Sequence, residues 1–379
     1  MTADTVGGVW TYAIELSRAL ARHDVEVALL TMGAPLSASQ RRDAASVDRL
    51  SVFETSLKLE WMDDPWDDVR RAGDQLLALE REVRPDVIHL NGYAHAALPF
   101  VTPTLVVAHS CVLSWWEAVK REPAPAAWDR YAEAVAAGLH AADRVVAPSL
   151  AMLDALHRHY GPLRHASVVY NGIDHARFAP AAAKRPVVLA AGRAWDEAKN
   201  VGALASIAGS LDWPVHLAGP DRHPQTGQRL GFENVVPLGT LAPDAMRQAM
   251  AEAAIYALPA RYEPFGLSIL EAALSGCVLV LGDIPSLREI WGDTAIFVPP
   301  DDHAALRLAL QRLIAMSDAG RAELVARSLA RARRYTIDAA ASSYRRIHRT
   351  LTTGRRAPAT RDTLAVPDAA WASLQGHTA

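Results

Sequence analysis

"NGIDHARFAPAAAKR", residues 171–185, divides the chain into two passages with the same rhythm. The stretch is rich in Gly, Pro and Ala and carries neither a strand nor a helix period, so it reads as a hinge. Before it, short β-rich runs at "VEVALL" (25–30), "VIHL" (87–90), "TLVVAH" (104–109), "RVVAPS" (144–149) and "ASVVYN" (166–171) alternate with helical patterns such as 9–23 and 67–83. After it the alternation restarts at "PVVLAAG" (186–192), "PVHLAG" (214–219), "AAIYALPA" (253–260), "CVLVLG" (277–282) and "TAIFVPP" (294–300). Apolar strands separated by helices predict βαβ units on parallel sheets. The fold class expected is therefore α/β, with two doubly wound domains in tandem. A ligand then belongs at the carboxyl ends of the strands, in the cleft between the domains.

The bulk properties agree with this. At 379 residues the chain is long for one domain, and half of it is hydrophobic, enough for two cores. A net charge of −3 argues against nucleic acid as a partner. Cys111 and Cys277 are too sparse for a disulfide framework or a metal cluster and fit a reducing compartment. No apolar run approaches the roughly 20 residues that span a bilayer, and no export signal is visible. A soluble, cytoplasmic protein is expected. The opening "MTADTVGGVW" leaves almost no strand before its Gly-Gly turn, which suggests either a start further upstream or an unusually short first strand. The tail 352–379 has no period and is expected to be poorly ordered or to lie over the surface.

Four stretches could carry chemistry. In "RYEPFGLSILEAALSGC" (261–277), Pro264 disfavours helix at Glu263 and Gly266 allows positive φ. A helix follows and stops at Gly276. The turn thus offers backbone N–H groups at a helix N-terminus, an anion site by geometry and dipole. Glu263 and Glu271 are about 12 Å apart along such a helix, the reach of a sugar-linked nucleoside diphosphate. Solvated acids on a surface helix explain the pair equally well. In "AAGRAWDEAKN" (190–200), Arg193 and Lys199 follow a strand end, where two cations suit a diphosphate. A surface pairing of Lys199 with Asp196 or Glu197 is the plain alternative. In "DTVGGVWTY" (4–12), Gly7 and Gly8 could bring backbone N–H groups to a phosphate, although a tight turn suffices to explain them. In "VVAHSCVLSWWEAVKREPAP" (106–125), His109 ends a strand ahead of an aromatic loop. Trp115 and Trp116 there could stack on sugars or simply pack.

Taken together, these stretches resemble the retaining glycosyltransferases of family four, which have the GT-B fold. The resemblance runs to about Leu351. It rests on the E-x7-E signature "EPFGLSILE" (263–271), the cation pair in "GRAWDEAK" (192–199), the turn "TVGGVWTY" (5–12), "VVAHS" (106–110) and "YNGID" (170–174). It implies an acceptor-side domain over 1–175, completed by a returning helix at about 337–351, and a donor domain over 176–336. Arg193 and Lys199 would bind the diphosphate and stabilise the leaving group. Glu263 would contact donor-sugar hydroxyls, with amides from Phe265, Gly266 and Leu267, and Glu271 would hold the ribose. Gly7 and Gly8 would lie against phosphate or acceptor, and His109 beside the reacting sugar. The loop after "PLGTL" (237–241) would line the nucleobase pocket, with Leu238, Gly239 and Leu241 as its residues, and Trp115 and Trp116 would lie on the acceptor side. No cofactor and no metal are implied. The donor would be a UDP- or GDP-sugar, and the acceptor a small molecule, a glycan or a lipid-linked glycan. The basic runs "RARRY" (331–335) and "RRIHR" (345–349) would suit an anionic membrane surface, though a solvated helix face explains them more simply. A GT-B nucleotide-sugar 2-epimerase and a non-catalytic sugar-nucleotide-binding subunit are the competing readings.

Overall fold

A computed structural model describes residues 1–222, 227 and 231–353. Beyond Thr353 the tail expected to be poorly ordered lies outside the described residues. The first passage folds as β1 (Thr2–Asp4), α1 (Gly8–Ala21), β2 (Val27–Met32), α2 (Ala38–Ala45), β3 (Leu50–Phe53), α3 (Trp66–Val83), β4 (Ile88–Leu90), β5 (Thr104–Val107), α4 (Val112–Lys120), α5 (Asp129–Ala141), β6 (Arg144–Ala147), α6 (Leu150–Tyr160) and β7 (Ala166–Val168). The second folds as β8 (Arg185–Ala191), α7 (Val201–Ala208), β9 (Val215–Ala218), β10 (Val235–Gly239), α8 (Pro243–Glu252), β11 (Ala253–Leu258), α9 (Leu267–Leu274), β12 (Val278–Gly282), α10 (Pro285–Trp291), β13 (Ile296–Val298), α11 (His303–Ala315), α12 (Asp318–Ala332) and α13 (Ile337–Thr353).

Every pairing between the strands named above is parallel. The second domain holds one sheet in the order β10-β9-β8-β11-β12-β13. Its central strands are buried on both faces, which is why they read as unbroken apolar runs rather than alternating ones. Helices cover each face, giving one core around Tyr256, Leu270 and Trp291 and another around Val188, Leu204 and Leu310.

The first domain splits its strands into β1-β2-β3 and β4-β5-β6-β7. The two sheets meet where side-chain bonds replace a ladder. Asn91 N–H donates to Thr2 Oγ1 at 2.8 Å, and Asn91 Nδ2 to the Thr2 carbonyl at 2.7 Å. The first strand is thus formed by three residues, with Thr2 opposite Leu30.

Two chain crossings join the domains, and they touch. Ile173 and Thr336 form an isolated bridge, and a Cβ on Gly172 would lie 2.1 Å from the Thr336 carbonyl oxygen, so only glycine allows the approach. From there α13 returns to the first domain and buries Ile337, Ala340, Ala341 and Tyr344 in the core that holds Trp10 and Leu16 of α1. The carboxyl ends of β1 and β5 consequently face those of β8 and β11.

Three expectations need correcting. The aromatic stretch after His109 is no loop: Trp115 and Trp116 stand on α4, whose N-terminus is capped by Cys111 Sγ accepting from Ser114 N–H. Leu238 and Gly239 belong to the edge strand β10 rather than to a loop. Lys199 pairs with neither Asp196 nor Glu197; its partner is Glu263.

Candidate functional site

Two loops of the second domain supply most of the cleft's charge. Behind β8, a short 3-10 turn at Glu197–Lys199 starts from Asp196, whose carboxylate accepts from Ala198 N–H. Arg193 Nη2 donates to the same carboxylate at 2.5 Å, and its guanidinium lies 5.0 Å over the Trp195 ring. Burial works against ionisation of Asp196, but Arg193 and Lys199 outweigh it and hold the carboxyl below its usual range. Behind β11, the turn at 261–266 is stitched to this loop, as Arg261 N–H donates to the Ala198 carbonyl. Lys199 Nζ donates to Glu263 Oε2 at 2.5 Å.

Pro264 and Gly266 act as their chemistry requires. Gly266 takes φ +89 as the N-cap of α9, where a Cβ would lie 2.6 Å from Ile269 Cδ1. Phe265 turns its ring inward, 3% exposed and edge-on to Tyr335. No side chain caps the N-terminus of α9 at Gly266. One turn and more along that helix, Glu271 makes no hydrogen bond or ion pair with its carboxylate among the described residues. Burial raises its pKa to about 7; Arg177 and Arg247 pull it down, and Glu15 pushes it up. Arg177 is itself ion-paired with Glu15 of α1, across the domain boundary. Arg247 is paired with Asp244. Leu238 and Leu241 are half-buried against the same core as α9, and Gly239 accepts from Gly219 N–H at 2.8 Å.

The first domain brings mostly uncharged groups, with the Asp4 carboxyl as the exception. Gly7 caps α1 with extended backbone, and a Cβ placed on it would lie 3.4 Å from Arg193 Nη1. Gly8 is exposed, and nothing stands within 4 Å of its Cβ position. Asp4 accepts from Val6 N–H, yet burial still lifts its pKa to about 6. His109 Nε2 lies 2.9 Å from Asn91 Oδ1, and its ring meets Tyr12 edge-on at 4.5 Å. Because the Asn91 amide nitrogen is committed to Thr2, its oxygen faces the imidazole. His109 therefore carries its proton on Nε2 and keeps Nδ1 as the base. Burial pushes its pKa down to about 3, so the ring is neutral at pH 7.

The structure thus gathers Gly7, Arg193, Lys199 and Glu263, with Glu271 further along α9 and Leu238 and Leu241 packed against the core that α9 helps to form. Trp115 and Trp116 pack edge-to-face at 5.9 Å, and Trp115 reaches across to Asp196. Sequence reasoning passed over Asp196, Asn91 and Tyr262. The last donates or accepts at Ser114 Oγ, 2.9 Å, and accepts from Cys111 N–H. It also passed over Glu289, whose carboxylate accepts from Leu150 and Ala151 N–H and so caps α6 of the opposite domain. Nothing short-range marks these residues. Among the described residues no group of three or more His, Cys, Asp or Glu is arranged to hold a metal ion, and no helix is long and apolar enough to cross a membrane.

Comparison with known proteins bears on the fold and the family to which the chain is similar. Residues 6–177 match the family described as Glycosyltransferase Family 4, and residues 185–316 that described as Glycosyl transferases group 1. A glycogen synthase of Mycobacterium tuberculosis (strain H37Rv) is 31% identical over 282 residues, 64% of this chain and 64% of that protein. The match therefore spans less than two thirds of that relative's length. A GDP-mannose-dependent alpha-mannosyltransferase of Mycolicibacterium smegmatis is 28% identical over 270 residues, 64% of this chain and 68% of that one. Among solved structures, the sucrose-phosphate synthase of Thermosynechococcus elongatus superposes with a TM-score of 0.77 at 20% identity, over 93% of this chain and 96% of that one. Anabaena HepE in complex with UDP-glucose gives 0.71 at 18% identity, over 92% and 100%.

Proposed function

From a chain that has the GT-B fold and is homologous to the family 4 glycosyltransferases, we propose an enzyme that transfers a sugar from a nucleotide-diphosphate donor to an acceptor hydroxyl with retention of anomeric configuration. The observation that carries this reading is the convergence of Arg193, Lys199 and the Gly7 end of α1 on one point of the cleft. Two cations beside a helix N-terminus suit a diphosphate and the charge that grows on it as the glycosidic bond breaks.

In this reading the sugar lies against Glu263 and the amides of Phe265–Leu267, and the ribose hydroxyls donate to Glu271. Glu263 is held by Lys199, which makes it a poor nucleophile. That supports a front-face displacement, in which the departing phosphate takes the acceptor's proton, over a covalent intermediate. His109, neutral and with Nδ1 open, accepts a hydrogen bond from a sugar hydroxyl without adding charge. Donor binding needs no metal here, since Arg193 and Lys199 answer the diphosphate's charge. The first domain's neutral wall takes the acceptor, a glycan or lipid-linked glycan. A UDP- or GDP-sugar is the donor: one relative is named for GDP-mannose, and one structural neighbour holds UDP-glucose. Two buried free thiols, Cys111 and Cys277, suit a reducing cytoplasm.

Calorimetric titration of UDP, GDP and ADP, and of their glucose and mannose conjugates, without added metal, tests the reading. Saturable micromolar binding to one nucleotide, lost in Lys199→Ala, is expected. Binding to none of them overturns it.

A further inference from the structure

Arg193 presents its two terminal nitrogens to different places. Nη2 is held by Asp196, and Nη1 lies 3.4 Å from where a Cβ on Gly7 of the other domain would stand. The carboxylate that fixes this orientation is 6% exposed and is itself shared. Ala198 N–H donates to Asp196 Oδ1 at 3.0 Å from the same loop, while Trp115 Nε1–H donates to that oxygen at 3.3 Å from α4 of the other domain. An indole carries one donor and no acceptor, so this contact has a single sense.

The rest of α4 makes the contact firm. Lys120, one helical turn and a half beyond Trp115, forms an ion pair with Glu197 and lies 5.9 Å from the rings of both Trp115 and Trp116. At the other end of the helix Ser114 Oγ meets Tyr262 OH, the residue preceding Glu263. One helix of the first domain therefore touches both donor loops of the second.

We propose that Trp115 is a positioning residue acting across the cleft: its indole N–H holds the Asp196 carboxylate that aims Arg193 at the diphosphate, so that diphosphate affinity depends on domain closure. The proposal rests on the reading of the cleft as a nucleotide-sugar site. Parting the domains would leave Asp196 with one donor fewer, its carboxylate then fixed only by Ala198 N–H and by Arg193 itself. Closure restores the donor and sets the guanidinium before the phosphate arrives, which is preorganisation by the domain that holds the acceptor.

The test compares a ligand that has a diphosphate with one that lacks it. Dissociation constants for UDP and GDP, and for uridine and guanosine, are measured calorimetrically on the wild type, Trp115→Phe, Asp196→Asn and the double variant, with thermal melting as the control for folding. Trp115→Phe should weaken the diphosphate about 5–20-fold and the nucleoside less than about twofold, the range expected for a hydrogen bond to a buried carboxylate. Asp196→Asn, which leaves the indole's packing in place, should show the same selectivity. In its background Trp115→Phe should add less than about twofold. Equal weakening of nucleoside and diphosphate, or an undiminished Trp115→Phe effect in the Asp196→Asn background, would reduce Trp115 to interface packing and overturn the proposal. A wild type that binds neither UDP nor GDP fails earlier and removes the nucleotide-sugar reading itself, and this proposal with it.

Discussion

Tyr12, His89 and His109 of the first domain and Asp196, Lys199 and Glu263 of the second are largely taken out of water, with the Arg193 side chain 35% exposed beside them, and the two groups achieve this by different means. The rings stay buried by staying neutral: burial holds His109 at about 3 and His348, packed against His89 and Tyr344, at about 4. The charges stay buried by pairing, each cation with its own carboxylate. A wall of neutral donors and acceptors can take a sugar hydroxyl without competing for the diphosphate. A wall of paired charges can answer a diphosphate without leaving a bare cation when the site is empty. Glu271 belongs to the second wall by sequence yet follows the rule of the first, since among the described residues its carboxyl has no cation in contact, and burial raises its pKa to about 7.

The contrast can be broken experimentally. The largest effect is expected at the paired wall: Lys199→Ala should lower donor turnover by about 100-fold or more, the scale for losing one group that stabilises transition-state charge. If His109→Ala on the neutral wall costs more than Lys199→Ala, the assignment of charge development to the second domain fails. Next comes Glu271. Wild-type affinity for the nucleotide should rise as pH goes from 6 to 8 and this carboxyl ionises. Glu271→Gln should flatten the profile, matching the wild type near pH 6 and binding about tenfold more weakly at pH 8.

The same residue sharpens the stability side. Its folded-state pKa is raised from 4.5 to about 7, so the native state holds the proton more tightly than the unfolded chain between those values. Stability contributed by the protonated form is therefore lost as pH rises through about 7. Glu271→Gln should be more stable than the wild type at pH 8, by about 1–3 kcal/mol, and nearly equal to it at pH 5. Urea unfolding at the two pH values reads this directly, and a variant destabilised at pH 8 would show that Glu271 has a stabilising partner after all.

His348 gives the mirror image with the smallest effect. Its folded-state pKa lies below the ordinary value of 6.5, so the unfolded chain takes the proton first and stability falls as pH drops from 6.5 toward 4. His348→Phe should gain about 1–2 kcal/mol relative to the wild type at pH 5 and nothing at pH 8. An equal shift at both values would mean the change is one of packing alone.

How much of this was legible depends on the range of the signal. The strands β5, β6, β8, β11 and β12 were visible because both of their faces are buried over most of their length, which leaves apolar runs. The strands β3 and β10 were missed because their residues are partly or fully exposed and leave no such run. The helix α4 was hidden behind its aromatic pair. In the site, Glu263, Gly266 and Glu271 could be read together because one turn and one helix carry them. Asp196 stood in plain view three residues after Arg193, but as a surface acid. Only the approach of Trp115, 81 positions earlier in the chain, marks it as the carboxylate that the two domains share.

By itself the sequence determined what nearest neighbours along the chain can enforce: the two alternating passages, the break at 171–185, the Pro-aromatic-Gly turn with its acids, and the cations behind a strand. Each follows from steric limits and burial periods a few residues long. The tertiary structure alone decided the seam where Asn91 stands in for a strand ladder, the partners of Lys199 and Arg193, the burial that moves Glu271 to neutrality, and the reach of α4 across the cleft. These depend on which surfaces meet when two separately folded sheets close on one another, and both the dielectric around a charge and the choice of its partner are set by that meeting.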